Sequence, residues 1–289
     1  MVLDRVNVMS KNVSPAEPAA KPRSSRTHRS LRDAEHTPTE PRPAGTQTIE
    51  TAMQVLLALA DMDRPIGVTE IARKLNLHKS TVSRQLAMLK VADFVSQDSA
   101  SSRYRLGLGL LPLAANVLSA HRLSGVARLR LEGLARATRE TITHSGWDGQ
   151  NAINLDQFGR GDPSEPFAPP GRVNPAHCTA SGKAFLAELS PEALARRIDR
   201  PLARLTDQTI TDPTALRAEI ELVRQSGLAF NRSEFIPDTY SIATLVRPQD
   251  GSRTYGIAIT LPSRRAGAER LEELGAELIA AARDLAQAP

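Results

Sequence analysis

Cysteine occurs once in the 289 residues, at Cys178. A lone thiol excludes an internal disulfide framework and any zinc site built from clustered cysteines. No histidine and carboxylate share a helix at metal-ligand spacing, so neither a metal nor any other cofactor is expected. No apolar run reaches the roughly 18 residues that a spanning helix requires, and no contact with a membrane is expected. The N-terminus also lacks the apolar core of a secretion signal, which predicts a cytoplasmic protein. Large apolar residues are almost missing after Val13 within the first 45 positions, where Pro, Ser, Arg and Ala dominate. Such a segment buries too little surface to offset its ordering entropy, so residues 1–45 are expected to be a disordered basic tail.

What remains suffices for two domains, since 40% of the chain is apolar. The net charge of +5 is unevenly placed. Residues 1–45 carry +3, residues 46–107 carry +2, and residues 108–289 sum to zero. Between Arg64 and Arg105 there are eight basic residues against three acidic ones. Positive charge confined to one module and the tail before it is the footprint expected of a phosphate-binding surface.

Within that module, Val68 to Lys90 reads as two short helices joined by a tight turn. Ile71, Ala72 and Leu75 make an apolar stripe on the first, with Thr69 as its expected N-cap. Asn76-Leu77 breaks the pattern, and Leu77 fills the corner. In the second helix Val82, Leu86 and Leu89 fall on one narrow face. At about 100° per residue, Ser80, Arg84 and Ala87 lie opposite, flanked by Thr81 and Ser83. A helix with a buried seam and a small polar and basic outer face suits a major-groove reader, and Lys79 at its start is a further candidate DNA contact. Two amphipathic helices also occur in many domains that never meet DNA, so the following segments matter. Phe94-Val95-Ser96 and Tyr104-Arg105-Leu106 are β-prone and are separated by a loop of turn formers. Alternation puts Arg103 and Arg105 on one face of that hairpin, placed for the phosphate backbone or the minor groove. Helix-turn-helix plus hairpin predicts a winged DNA-binding domain over 46–107, its first helix running from Thr48 to Asp61.

Residues 108–123 are strongly apolar and mostly helical, with Pro112 tolerated in a first turn. A helix so apolar, directly after a domain, predicts a linker that packs against a second copy of the chain. Beyond it, residues 124–289 alternate helix and strand patterns. Helices are predicted over 124–140 (apolar at Val126, Leu129, Leu131, Leu134 and Ala135), 179–189, 191–198, 213–226 and 267–287. Strands are predicted over 141–147, 152–158, 228–232, 242–246 and 255–261, with a loop over 159–176. An antiparallel sheet flanked by helices makes this an α+β domain of the sensor type.

From about residue 46 to 287 the chain resembles the IclR family of bacterial transcriptional regulators. The resemblance is carried in order by Ile71-Ala72 through Leu89, by Tyr104-Arg105-Leu106-Gly107, and by His177-Cys178-Thr179-Ala180-Ser181-Gly182-Lys183-Ala184-Phe185-Leu186-Ala187. Leu205-Thr206 with Thr209-Ile210, Gly227-Leu228-Ala229 with Glu234, and Ile242-Ala243 complete it. The resemblance implies an N-terminal winged helix-turn-helix, a linker helix and a C-terminal GAF-like effector-binding domain. It further implies binding to a pseudo-palindromic operator in double-stranded DNA, a small organic acid as effector, control of a catabolic operon, and assembly into dimers or tetramers. Carried over by position, the effector-binding residues are Ala180, Ser181, Asn231, Thr239, Ser241, Ala258 and Thr260. Backbone N–H groups at a helix start suit a carboxylate, and the hydroxyls of Ser181, Ser241 and Thr260 add donors. Two departures stand out: family members commonly carry an acid near Asn231 and a glycine near Asp238, and the backbone by the pocket is expected to differ accordingly. Trp147 and Tyr240 are candidates for shaping a pocket around a larger ligand.

A catalytic alternative rests on Ser181-Gly182-Lys183 and on His177-Cys178. The first lacks the preceding glycine of a phosphate loop, and Ala184 stands where that loop holds magnesium with a hydroxyl. The second is a sequence-adjacent pair, which rarely aims nucleophile and base at one another. No enzyme is expected. A ligand-independent architectural DNA-binding protein would leave the C-terminal domain without a task.

Overall fold

The computed structural model describes residues 46–159 and 169–288. The tail expected over 1–45, and residues 160–168 of the proline-rich stretch, lie outside them.

Three helices and a hairpin form the N-terminal module: α1 (Thr46–Ala60), α2 (Val68–Leu75), α3 (Lys79–Val91), β1 (Val95–Gln97) and β2 (Tyr104–Leu106). Their apolar stripes meet in one core of Val55, Leu59, Ile66, Ile71, Val82, Leu86 and Val95, with Leu77 packed in the corner. The start of α2 differs from expectation, because its N-cap is Gly67 and Thr69 lies inside the helix. Ile66 exchanges two backbone hydrogen bonds with Tyr104. That pairing holds the chain extended up to Gly67 and lets the helix begin at once. Asn76 ends α2 in the left-handed region at φ 54°, which asparagine tolerates better than most residues.

Gly107 closes the hairpin. A Cβ there would stand 2.0 Å from the Asp93 carbonyl oxygen, so only glycine allows the close approach. Its N–H bonds the Phe94 carbonyl at 2.8 Å, and the Gly109 N–H bonds that of Asp93 at 3.0 Å. A short 3-10 turn (Leu108–Leu110) then leads into α4 (Leu111–Ser119), with Pro112 in its first turn. Leu108, Leu111, Leu113 and Val117 are all more than half exposed.

The C-terminal domain is built on a six-stranded antiparallel sheet in the order β5-β4-β3-β8-β7-β6. Its strands are β3 (Thr141–Trp147), β4 (Asn151–Phe158), β5 (Val173–Pro175), β6 (Ala229–Arg232), β7 (Thr239–Val246) and β8 (Tyr255–Pro262). β5 falls inside the stretch expected to be all loop. Three residues with one proline give too short a pattern to recognise, and pairing with β4 makes the strand. One face carries α5 (Gly125–Thr138) and α9 (Ala268–Gln287) over a core of Leu131, Ile142, Ile242, Ile257, Ile259, Leu274 and Leu278. Val126 and Leu129, expected on the apolar face of α5, point outward and are exposed; Ala127, Leu131, Ala135 and Thr138 are the buried row.

The other face carries α6 (Ala180–Ala187), backed by α7 (Pro191–Ile198) and α8 (Pro213–Ser226). Alanines at 152, 229, 243 and 258 keep this face low, so that α6 packs closely on it. Between the pairs Ser145↔Asn154 and His144↔Asp156, Leu155 is the extra residue of a β-bulge. The bulge reverses the alternation along β4, leaving Ala152 and Asn154 toward α6 while Phe158 joins the opposite core.

Candidate functional site

Helix α3 has the two faces its sequence required. Val82, Leu86 and Leu89 are buried, and Gln85 is buried beside them. Lys79, Ser80, Ser83 and Arg84 are exposed, and Thr81 is half-buried. His78 caps the helix: its Nδ1 accepts the Ser80 N–H at 3.4 Å and pairs with the Ser80 hydroxyl at 2.7 Å. Several basic residues off this face are engaged, Arg64 by Glu70 at 2.6 Å, Lys74 by Asp61 at 2.9 Å and Lys90 by Gln97 at 3.2 Å. Lys79 and Arg84 have no hydrogen-bond or ion-pair partner among the described residues. On the hairpin, Arg103 donates to the Pro65 carbonyl at 3.3 Å and Arg105 to the Ser96 hydroxyl at 3.1 Å. Both stay exposed, and each keeps N–H groups pointed at solvent.

A small cavity of about 50 Å³, lined by both polar and apolar side chains, lies between the start of α6 and the sheet and is open to solvent on one side. The structure brings all seven carried-over positions, Ala180, Ser181, Asn231, Thr239, Ser241, Ala258 and Thr260, onto its wall. Register explains the convergence: Asn231 pairs with Ser241 and Ser241 with Thr260, while Thr143 pairs with Ala258, all on the α6 face. Ser241 and Thr260 share a hydroxyl–hydroxyl hydrogen bond of 3.0 Å. Thr179 caps α6 by accepting the Gly182 N–H at 3.2 Å. Ala180 and Ser181, whose amides precede the first intrahelical bond, line the cavity at the positive end of the helix dipole. Gly182 is what lets α6 start here, because a Cβ would lie 2.4 Å from the Ala176 Cα.

Sequence reasoning missed Arg172, Asn174, Asn154 and Phe235, which also line the cavity. Arg172 and Asn174 come from β5 and its approach, the segment read as loop. Arg172 lies with its guanidinium 5.0 Å from the Phe235 ring centroid. Burial pulls its pKa down, yet a guanidinium still keeps its charge. Trp147 and Tyr240, expected as candidate walls, are not on the cavity. Trp147 stacks on Phe185 at 5.3 Å, and strand alternation sends Tyr240 into the core on the opposite face. Asp238 takes the left-handed conformation at φ 55°, which aspartate tolerates better than most residues other than glycine and asparagine.

Lys183 turns away from the cavity and is fully buried. Its Nζ donates to Glu234 Oε1 at 2.7 Å, to the Phe230 carbonyl at 3.0 Å and to Glu219 Oε1 at 3.3 Å. Glu234 is held a second way, for the Thr206 hydroxyl donates to the Ser233 carbonyl and the Thr209 hydroxyl to that of Glu234, both at 2.7 Å. Its N–H donates to Asn231 Oδ1 at 2.8 Å. Thus Lys183, Thr206, Thr209 and Glu234, scattered along the sequence, fix the turn that presents Phe235 and Ile236 to the cavity. Catalytic pairing of His177 and Cys178 is not assembled. Burial pushes the Cys178 thiol far up, and the His177 Nε2 is 2.9 Å from the Ala203 carbonyl, placed to donate to it. Among the described residues no three His, Cys, Asp or Glu side chains form a group able to hold a metal, and no helix is long and apolar enough to cross a membrane.

Comparison with known proteins agrees in both halves. A family model described as "IclR helix-turn-helix domain" matches residues 48–99, and one described as "Bacterial transcriptional regulator IclR C-terminal" matches residues 115–287. The glycerol operon regulatory protein of Streptomyces coelicolor is 31% identical over 242 residues, covering 84% of this chain and 94% of its own. An IclR transcriptional regulator from Alicyclobacillus acidocaldarius has a similar structure, with TM-score 0.67 and 26% identity over 83% of this chain and 98% of its own. An IclR homolog from Microbacterium hydrocarbonoxydans, solved with 4-hydroxybenzoate, shares the fold at TM-score 0.63 and 23% identity, covering 82% and 99%.

Proposed function

The chain belongs to the IclR family of bacterial transcriptional regulators, and from that premise we propose that it is a dimeric, cytoplasmic regulator whose operator binding answers to a small organic acid. Residues 46–107 are the DNA-binding unit in this reading, 108–123 the linker and dimer contact, and 124–289 the effector domain. The observation that carries it is the free, exposed Arg84 on the face of α3 opposite its buried seam, with the free, exposed Lys79 in the first turn and the wing arginines Arg103 and Arg105 alongside. Ser80, Thr81 and Ser83 complete the reading face. In a dimer two such helices enter successive major grooves about 34 Å apart and read a pseudo-palindrome. The exposed apolar residues of α4, together with Ile49 and Met53 on α1, support pairing with a second copy, and tetramers follow if two dimers join. The name of the Streptomyces relative ties it to a glycerol operon, and a catabolic operon is the target proposed here.

An operator selected from random DNA by the full chain tests the reading. Arg84→Ala costs about 1–3 kcal/mol on that operator and relaxes preference at one position per half-site. Arg103→Ala and Arg105→Ala instead each reduce the salt slope of binding by about one and leave preference unchanged. Equal loss on operator and random DNA for Arg84→Ala would make it a phosphate contact and remove it from base reading.

The effector site is the cavity at the start of α6, where a carboxylate meets the Ala180 and Ser181 amides, the Ser241 and Thr260 hydroxyls and the Arg172 guanidinium. The 4-hydroxybenzoate held by the Microbacterium relative is a precedent for a small carboxylate in this fold. To act as a switch, the ligand binds one arrangement of the dimer better than another by about 1–3 kcal/mol. Ser241→Leu fills the cavity and leaves a ligand oxygen unpaired, which costs about 1–3 kcal/mol of effector affinity. Operator binding without effector survives, because the winged module has its own core. Calorimetry and operator titration on the same variant check the two halves, and unimpaired effector binding would move the site elsewhere.

A further inference from the structure

We infer that the cavity takes a short, hydroxylated carboxylate of the sugar-acid kind, in preference to an aromatic or alkyl acid; this rests on reading the cavity as the effector site. Of the fourteen described residues that line it, nine are neutral hydroxyl or amide side chains and one, Arg172, is charged, and none of these fourteen is a carboxylate. One cation and a helix start select one anionic group. Hydroxyl and amide side chains outnumber the apolar ones on the remaining wall, Ala180, Phe235, Ile236 and Ala258, among the described residues.

Two of the hydroxyls are the telling ones. Thr143 and Ser181 border the cavity at 4% and 6% exposure, and neither side chain has a hydrogen-bond partner among the described residues. Beside them, Ser241 and Thr260 satisfy each other with one bond and keep further capacity. Asn174 spends one N–H on Asn154 at 2.7 Å, keeping its carbonyl oxygen and second N–H. A ligand without hydroxyls would expel water and strand these groups, and such sites reject the deoxygenated analogue more strongly than an apolar pocket rejects an added hydroxyl. A polyol chain supplies a donor and an acceptor at every carbon. The aromatic wall is correspondingly thin: the Phe235 face is taken by Arg172, and Trp147 is spent on Phe185.

The experiment is calorimetry on the full chain with paired probes: glycerate, threonate and gluconate against propionate, butyrate and hexanoate, with benzoate beside them. At least one hydroxylated acid is expected to bind at least about tenfold tighter than its deoxygenated partner and than benzoate. Thr143→Val, nearly the same in volume, narrows that ratio without weakening the deoxygenated acid, and its unfolding midpoint shows that it folds. Benzoate or an alkyl acid binding as tightly as the hydroxylated set would overturn the ligand class and leave the effector site standing. Absence of binding by every acid would overturn the effector site and this inference with it.

Discussion

Lys183→Met lowers the stability of the C-terminal domain by about 3–5 kcal/mol, although the new side chain is apolar and similar in length. The loss comes from what the substitution leaves behind. Glu234 is buried, its Oε1 accepts from Lys183, and its Oε2 has no hydrogen-bond partner. Without the ammonium group a carboxylate stays buried against a single backbone donor, the Arg232 N–H. Burial already holds the Glu234 pKa above the usual carboxylate range, against the opposing pull of Lys183. A raised pKa means the native state holds the proton more tightly than the unfolded chain. The associated stability is therefore fully present below the unfolded pKa and is lost as pH rises through the folded one. Removing Lys183 lifts the folded value further and deepens the loss at higher pH. Urea midpoints at pH 5 and pH 8 read this directly, with the larger deficit at pH 8. Adding Glu234→Gln to the variant restores part of the stability by removing the charge. A deficit equal at both pH values would mean that packing, and not an uncompensated carboxylate, carries the effect.

Gly107→Val is the second large effect, in the other domain. Its Cβ would meet the Asp93 oxygen at 2.0 Å and the Phe94 carbonyl carbon at 3.0 Å, and both are backbone atoms that cannot swing away. The hairpin must leave the end of α3 or break the Gly107–Phe94 hydrogen bond, at a cost of about 3 kcal/mol. Thermal unfolding followed by circular dichroism shows the loss in the winged module, and operator affinity falls with it. Gly125→Ala is the matched control. A Cβ there meets nothing within 4 Å, and alanine at the start of α5 is neutral or gains up to about 1 kcal/mol. A valine at 107 that melts like the parent would mean the seam yields more easily than its geometry allows.

The winged module was legible because each of its parts is local. The stripes of α2 and α3, the left-handed break at Asn76 and the turn formers between β1 and β2 all act within a few residues. The cap of α2 was misplaced because Ile66 is held by Tyr104, thirty-eight positions away and invisible to a local pattern. The cavity divided the same way. Ala180, Ser181, Asn231, Thr239, Ser241, Ala258 and Thr260 came from the family resemblance and share one wall. Arg172 and Asn174 had no signal, since β5 has three residues and exists only through its pairing with β4. Trp147 and Tyr240 went astray because an aromatic side chain in a strand has two faces to choose between. The choice of face follows from register, which the neighbouring strands decide.

The seam at Gly107 and Gly109 also sets how a message would travel. The chain is bonded back to Phe94 and Asp93 directly after α3, which leaves no slack before α4; in the function proposed above, α4 would then act as a short lever fixed to α3. Nine residues of helix span about 13 Å. Tilting such an arm by about 15° carries its end about 3.4 Å, one base-pair step along the duplex. In a dimer that step is also a turn of about 35° around the DNA axis, because one helical turn holds about 10 base pairs. On that proposed reading, release from an operator would need no unfolding. A slight change of pitch puts its two halves out of phase with the groove.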